Sequence, residues 1–398
     1  MTTARTATPS TARAINDRLA LNLLLDQGPL TATELRELTG LSRPTVSDLL
    51  ERLQRSGLVV QSGERGEQRR GPNARLYALV ASRAHIAAID VRSVGISLVI
   101  ADLAGRTLAT AEIAAADPAG PGGTAGLAAR TVRTLLDTAR RAGVEHLHTV
   151  AVGVPGLVDP ATGRLSNIGG LPGWHTELLA LLRELPGTAL ILENEVNLAG
   201  VSEHRIGAAR DRDTFVLIWL GHGVGACVVL DGKVRRGASG GTGEIGFLPV
   251  PGTGGLPTAT GCEGGFHALA GSGSLCDLAR SHGLPADAAG DAPAAEAVVT
   301  AALAAGPAGD AFLDAYAERV AIGAAAMSVV LDPGCVVLGG EVGRAGGAEL
   351  ADRVGRRLAR LIPLRTEVRA GEVGGHAVLD GAVLTACDAV RREVFGGP

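Results

Sequence analysis

Near its start the chain sets Ser42, Arg43, Pro44, Thr45 and Ser47 at the opening of an amphipathic stretch, with Arg52 and Arg55 further along it and Arg65, Arg69 and Arg70 in a Gly-containing tip downstream. Hydroxyl and guanidinium groups at the N-terminal end of a helix suit hydrogen bonding to base edges, and arginines on a loop suit phosphates or a narrow minor groove. The assignment expected here is Arg43, Thr45 and Ser47 near base edges and Arg52 or Arg55 nearer phosphate. A second chemistry-bearing stretch is Gly221-His222-Gly223 with Gly225, a glycine turn between apolar runs. Without side chains in the way, backbone N–H groups there can approach phosphate oxygens. Other reactive residue types form no set. The five cysteines, Cys227, Cys262, Cys276, Cys335 and Cys387, lack CxxC spacing, and His146, His148, His204 and His282 lack ligand spacing. Gly237 to Gly241 reads G-A-S-G-G, but it follows a hairpin instead of joining strand to helix, so it is no nucleophile elbow.

The elements that must carry these residues can be read from pattern. Residues 1–11 are polar and aperiodic, a disordered tail. From Ala12 a helical stripe of Ile15, Leu19 and Leu23 runs to the Gly28-Pro29 stop; Thr31 or Thr33 caps a short helix ending at Gly40; Ser42 caps a third with Val46, Leu49, Leu50 and Leu53 inward. An apolar strand at Leu58–Val60, the Arg/Gly tip and a return strand at Arg75–Leu79 follow. Three short helices and a hairpin over residues 12–80 make a winged helix-turn-helix. After residue 84 strands, glycine turns and Ala-rich helices alternate as in an α/β domain. Ile86–Val91 with Val94–Ala101, and Phe215–Leu220 with Val224–Leu230, repeat one strand-turn-strand unit. Each opens a lobe, so the body is expected to be a clamshell with its glycine turns facing one another.

Composition agrees with that division. The 398 residues exceed one domain, and 46% hydrophobic with 20% charged residues excludes a disordered or fibrous chain. Net charge is −4, yet residues 1–80 hold 11 Arg against 8 acids. A basic head on an acidic body points to a polyanion-binding module. Scattered thiols and the lack of an apolar run of about 18 residues point to a reducing cytoplasm and no membrane partner.

Further motifs follow in order: V-G-V-P-G-L-V-D (Val152–Asp159), L-P-G-W (Leu171–Trp174), E-N-E-V-N (Glu193–Asn197), L-G-H-G-V-G (Leu220–Gly225), G-E-I-G (Gly243–Gly246), D-P-G-C-V-V-L-G-G (Asp332–Gly340) and G-A-V-L-T-A (Gly381–Ala386). From Ala12 to the C-terminus this resembles the ROK family of bacterial sugar kinases and, where a winged helix comes first, sugar-responsive repressors. The resemblance implies an actin-like ATPase (sugar kinase-like) fold over residues 84–398. Lobe one takes about 84–200 plus the C-terminal helix from about 378, and lobe two about 201–377. Arg69-Arg70-Gly71-Pro72 resembles the family's G-R-P hook in scrambled order.

The resemblance also says what is altered. The family's first phosphate turn, D-x-G-G-T-K, is D-V-R-S-V-G here (Asp90–Gly95), with Arg92 and Ser93 in place of glycines. The general base, an Asp, is Glu195, one methylene longer, so catalysis is expected to be lost and Glu195 to be vestigial. Phe247, Thr258, Thr260 and Gly265 stand at the family's zinc ligands, so no metal is expected, and no cofactor. Asn194, Glu195 and Glu244 match residues that hydrogen-bond sugar hydroxyls, and His267 stands where the family has a Glu. The expected protein is a DNA-binding regulator of carbohydrate-uptake or catabolic genes. Its partners are a double-stranded DNA operator and a sugar or sugar-derivative effector, and it works as a homodimer or homotetramer. The alternatives are a sugar kinase with an accessory DNA-binding head and an effector-independent DNA-binding factor.

Overall fold

A computed structural model describes residues 9–65, 74–92, 95–114, 126–166 and 173–396. Local signals set the first elements: α1 (Pro9–Gln27), β1 (Leu30–Thr31), α2 (Ala32–Thr39) and α3 (Arg43–Arg55). Thr31 caps α2 through a reciprocal box in which the Thr31 N–H donates to Glu34 Oε2 at 2.8 Å and the Glu34 N–H donates to Thr31 Oγ1. Gly40 ends that helix at φ 70°, a conformation that costs glycine nothing. Ser42 accepts from the Thr45 N–H to start α3, with Pro44 in the first turn where no N–H is needed. Strands β2 (Val59–Arg65) and β3 (Ala74–Leu79) pair antiparallel, and β1 joins β3 on its other edge. The wing tip with Arg69 and Arg70 lies outside the described residues.

Two features of the head differ from expectation. Helix α1 begins at Pro9, inside the segment expected to be a loose tail, whose residues 1–8 lie outside the described ones. Its buried face is Ala20, Leu21 and Leu24, while Ile15 is 58% and Leu19 40% exposed. The apolar periodicity of α1 allows either face. The bundle formed with α2 and α3 selects one.

The body is one sheet plan built twice. Lobe one has β4 (His85–Val91), β5 (Gly95–Asp102), β6 (Thr107–Ala114), α4 (Leu127–Arg141), β7 (Thr149–Val154), the small hairpin β8 (Leu157–Val158) and β9 (Leu165–Ser166), α5 (Gly173–Arg183), β10 (Ala189–Asn194) and α6 (Glu195–Ile206). Lobe two follows with β11 (Phe215–Leu220), β12 (Val224–Leu230), β13 (Lys233–Val234), α7 (His267–Ala270), α8 (Ser272–Ser281), α9 (Ala292–Ala302), α10 (Pro307–Leu331), β14 (Cys335–Gly339), α11 (Gly340–Leu361) and β15 (Glu367–Ala370). Helix α12 (Ala377–Val394) returns to lobe one. The sheet orders are β6-β5-β4-β7-β10 and β13-β12-β11-β14-β15. In each, the first strand pairs antiparallel with the second and parallel with the fourth. The repeated hairpins are β4–β5 and β11–β12, and such buried strands read as near-continuous Val, Ile, Leu and Ala.

Three contacts join these parts. The head's core of Leu21, Leu35, Leu49 and Leu53 is continuous with that of Ile86, Leu103, Leu198 and Val390 in lobe one. Helices α6 and α12 cross so closely that a Cβ on Gly381 would overlap the Leu198 carbonyl oxygen, which demands glycine there. Glu203 of α6, 2% exposed, holds both lobe crossovers at once. Its Oε2 accepts from the N–H groups of Ala208 (2.7 Å) and Glu372 (3.1 Å), and its Oε1 accepts from Val373 (3.0 Å). Gly207 and Gly371 leave room for that carboxylate, since a Cβ on either would meet it.

Bonds from a buried carboxylate to three backbone donors are individually strong, and an amide in its place would turn a donor toward at least one of them. Glu203→Gln is therefore expected to lower stability by about 2–4 kcal/mol in urea unfolding. A loss under about 0.5 kcal/mol, the range of ordinary surface substitutions, would contradict the role given to this residue.

Candidate functional site

The head presents one end of α3. Ser42, Arg43, Pro44 and Ser47 are exposed and Thr45 is half-buried, with its hydroxyl 2.8 Å from that of Ser42. Arg43 has no ion-pair partner among the described residues. Gln54, eleven residues on and therefore nearly above Arg43 on the helix, is also exposed and was not singled out by pattern. Arg52 has partners within the head. Its guanidinium bonds Asp17 of α1, with Nη2 to Oδ1 at 2.6 Å, and also Asp48, so it fastens α3 to α1. Asp17 lies 35 residues away, so no local spacing announces the pair. Arg55 lies 3.6 Å from Glu51. The carboxylates on the C-terminal half of α3 are thus neutralised, and its N-terminal turn is left as the face that suits a polyanion. Arg65 ends β2 at the root of the wing.

In the body, β10 ends and α6 begins at Asn194. Its Oδ1 accepts from the N–H groups of Val196 (2.9 Å) and Asn197 (3.2 Å), and its Nδ2 donates to Gly156 O (3.2 Å) and Glu195 Oε2 (2.9 Å). A residue expected to greet a ligand is also the N-cap of α6, so a ligand must share or displace its amide donors. Glu195 faces Glu244, Asp90 and Glu341. Desolvation, reinforced by those three acids, pushes its pKa up to about 8. Glu244, in lobe two, is open to the cleft, yet burial by the cleft walls still raises its pKa. Asn194, Glu195 and Glu244 thus meet in one cleft between the lobes. His267 stands beside the second glycine turn, its Nδ1 3.9 Å from where a Cβ on Gly223 would lie. Burial, and then the neighbouring His222, lower its pKa, so it faces the cleft as a neutral ring.

The first turn is tied shut. Asp90 is 1% exposed, and desolvation raises its pKa despite Arg92, whose Nε donates to Asp90 Oδ2 at 2.5 Å. Arg92 Nη2 also donates to Gly375 O across the lobes at 2.8 Å. Asp90 Oδ1 is buried without a partner among the described residues. Ser93 and Val94 lie outside them. A second tie is the ion pair of Glu193, at the end of β10, with Arg236 of lobe two, Nε to Oε2 at 2.7 Å.

Phe247, Thr258, Thr260 and Gly265 offer no thiolate or imidazole, so this donor set does not fit zinc. The loop closes on itself instead: Thr258 pairs with Gly261, Pro249 with Gly265, and Thr253 Oγ1 donates to Gly264 O at 2.8 Å. In G-A-S-G-G, Gly240 at φ 82° packs against the Val158 carbonyl of lobe one, and that close approach explains the glycine.

These features define a winged helix on a doubled, two-lobed body of sugar-kinase type. The chain belongs to the ROK family, which residues 86–388 match, and residues 15–71 match the MarR family. It is similar to the xylose repressor of Bacillus subtilis (strain 168), 24% identical over 241 residues, which are 60% of this chain and 61% of that one. The chain thus spans about three fifths of the length of such curated relatives. A crystal structure of a ROK family transcriptional regulator, homologous to the E. coli MLC protein, shares the fold over 96% of this chain and 98% of its own, with TM-score 0.73 and 19% identity. The ROK hexokinase from Thermus thermophilus aligns with 77% of this chain and 99% of its own, with TM-score 0.61 and 27% identity.

The cleft chemistry yields a pH signature. Folded Glu195 keeps its proton up to about pH 8, whereas the unfolded chain releases it near 4.5. Between those values the folded state binds more protons, so this residue's favourable contribution is whole below 4.5 and is lost as pH rises through 8. Glu195→Gln stays neutral throughout. Its Tm relative to the unmutated chain is expected to climb from pH 4.5 to 8 and level off above. A difference that is flat with pH would contradict the shift.

Proposed function

We propose that the chain is a sequence-specific DNA-binding transcriptional regulator, a repressor of carbohydrate-uptake or catabolic genes, gated by a sugar or sugar derivative in a kinase-like body that transfers no phosphoryl group. The observation that carries this is the exposed N-terminal turn of α3, with its acidic C-terminal half neutralised, on a head whose core is continuous with that of the lobe carrying Asn194 and Glu195. Relatives of the chain include repressors, in keeping with the reading.

The route from cleft to head is short. Asn194 and Glu195 start α6, which packs on α12. At the far end of α12, Arg391 Nε donates to Leu103 O (3.0 Å) and Cys387 Sγ to Asp102 O (3.8 Å). The Leu103 N–H in turn donates to Ala81 O of the connection leaving β3 (3.0 Å). A ligand drawing Glu244 toward Glu195 would close the lobes, shift α6 on α12 and re-aim the wing. The effect on DNA can be no greater than the ligand's preference for the closed state. One head reads one half-site, so a homodimer or homotetramer on a pseudo-palindromic operator is part of the proposal.

The likeness to the hexokinase favours a second reading, a kinase with a DNA-binding head. Against it stand Glu195, which holds a proton where a general base must accept one, and Arg92, which fills the first phosphate turn. Steady-state ATP consumption with hexoses and amino sugars decides between them, and turnover above roughly 1 s⁻¹, the low end for enzymes, would establish the kinase.

The proposal is tested by gel shift with DNA from upstream of the chain's own gene at physiological salt, repeated with a sugar panel. Specific binding relieved by one sugar is expected, and no specific binding would overturn it. Within that assay, Arg43→Ala is expected to weaken the operator complex by about 1–3 kcal/mol and to relax base preference. Arg52→Met should instead act through stability, lowering Tm while the folded protein keeps its salt slope. A salt slope reduced by about one for Arg52→Met would return Arg52 to the phosphate contacts.

A further inference from the structure

We propose that Glu341 is a specificity-determining residue of the cleft, a built-in carboxylate that keeps polyphosphate, and with it nucleotides and phosphorylated sugars, out of the second glycine turn, so that the body's ligand is an uncharged polyol. This rests on the regulator reading and states which ligands the cleft admits. A glycine turn and a helix N-terminus are the two backbone devices that hold phosphate, and both converge here. The turn is Gly221–Gly223, closed by the Gly221 N–H donating to Gly223 O at 3.1 Å. The helix is α11, which begins at Gly340. Glu341 is in its first turn, and its carboxylate fills the space left by the missing side chain at Gly221, where a Cβ would fall 2.5 Å from Glu341 Oε2. The partial positive charge at the start of α11 thus already has an anion from the chain itself.

Glu341 is held from the opposite lobe as well. Its Oε1 is 3.9 Å from Arg92 Nη1, and Arg92 is itself fixed to Asp90 and to the Gly375 carbonyl. The Arg92 guanidinium that reaches Glu341 is therefore spent on carboxylates, and the carboxyl groups of Asp90, Glu195 and Glu244 lie near it. A triphosphate entering the turn would have to displace a carboxylate of its own sign. A neutral sugar between Asn194 and Glu244 meets none of that repulsion, and the same carboxyl groups offer it acceptors. Behind Gly340 the cavity beside Trp219 and Arg344 is about 10 Å³, room for one water and not for a nucleobase.

The test is isothermal titration of the full chain with inorganic tripolyphosphate and with ATP and Mg²⁺, for the unmutated protein, Glu341→Gln and Glu341→Asp. Glu341→Ala stands in as the neutral variant if Glu341→Gln unfolds by circular dichroism. The unmutated chain and Glu341→Asp are expected to show no saturable heat at millimolar ligand. The neutral variant should bind tripolyphosphate at least roughly tenfold more tightly, an affinity that falls with salt. Equal binding by the unmutated chain and the neutral variant would overturn the proposal, and so would the absence of binding by both, because Glu341 would then not be what excludes phosphate. Operator affinity of the same preparations separates the two claims: if DNA binding is intact, failure falls on Glu341 alone.

Discussion

The two crossovers that join the lobes meet at Glu203. The chain crosses between the lobes after α6 and again after β15, and both crossings donate backbone N–H groups to that one buried carboxylate. Two strands of chain held at a single point form a hinge with a defined axis; α6 also packs on β11 and β12 of lobe two in one apolar cluster, and three further interlobe contacts lie toward the cleft. These are Arg236 with Glu193, Arg92 with Glu341 and Gly375, and Gly240 on Val158. A motion about that point breaks the polar contacts at the cleft edge and slides α6 against its apolar neighbours.

The same scaffold suits the sensor role proposed for this kinase-like plan. A phosphoryl-transfer enzyme needs its glycine turns clear for phosphate and a carboxylate ready to take a proton. Here the first turn carries an arginine tied to Asp90, the second carries Glu341, and Glu195 is protonated at neutral pH in its acidic, desolvated surroundings. What is kept is the doubled sheet, the cleft and the pairing of α6 with α12, which are the parts a ligand-driven closure requires.

How far this could be read from the residues depended on the range of each interaction. Caps at Thr31 and Ser42, the stop at Gly40 and the repeated hairpins are set within a few residues and were legible. The inward face of α1 was not, because Ile15 and Leu19 make as good a stripe as Leu21 and Leu24 until α2 and α3 choose between them. The partner of Arg52 was hidden for a related reason: a cation on a recognition helix suits phosphate, and only the fold brings Asp17 to it. Glu203 and Glu341 carried no signal, since Glu372, Val373 and Gly221, which they meet, lie more than a hundred residues away in sequence, and the glycine motif ending at Gly340 stops one residue short of Glu341. The glycines themselves gave the clue afterwards, because each such site is a place where a side chain would collide with one of these carboxylates.

The most direct test of the account is reciprocity between the two sites. Operator affinity would be measured with and without the relieving sugar, and sugar affinity with and without operator, in the same buffer. If closure of the cleft is what moves the head, the two affinity ratios are equal, because one coupling free energy acts in both directions. A sugar that binds the body with the same affinity whether or not operator is present, and leaves operator affinity unchanged, would contradict it.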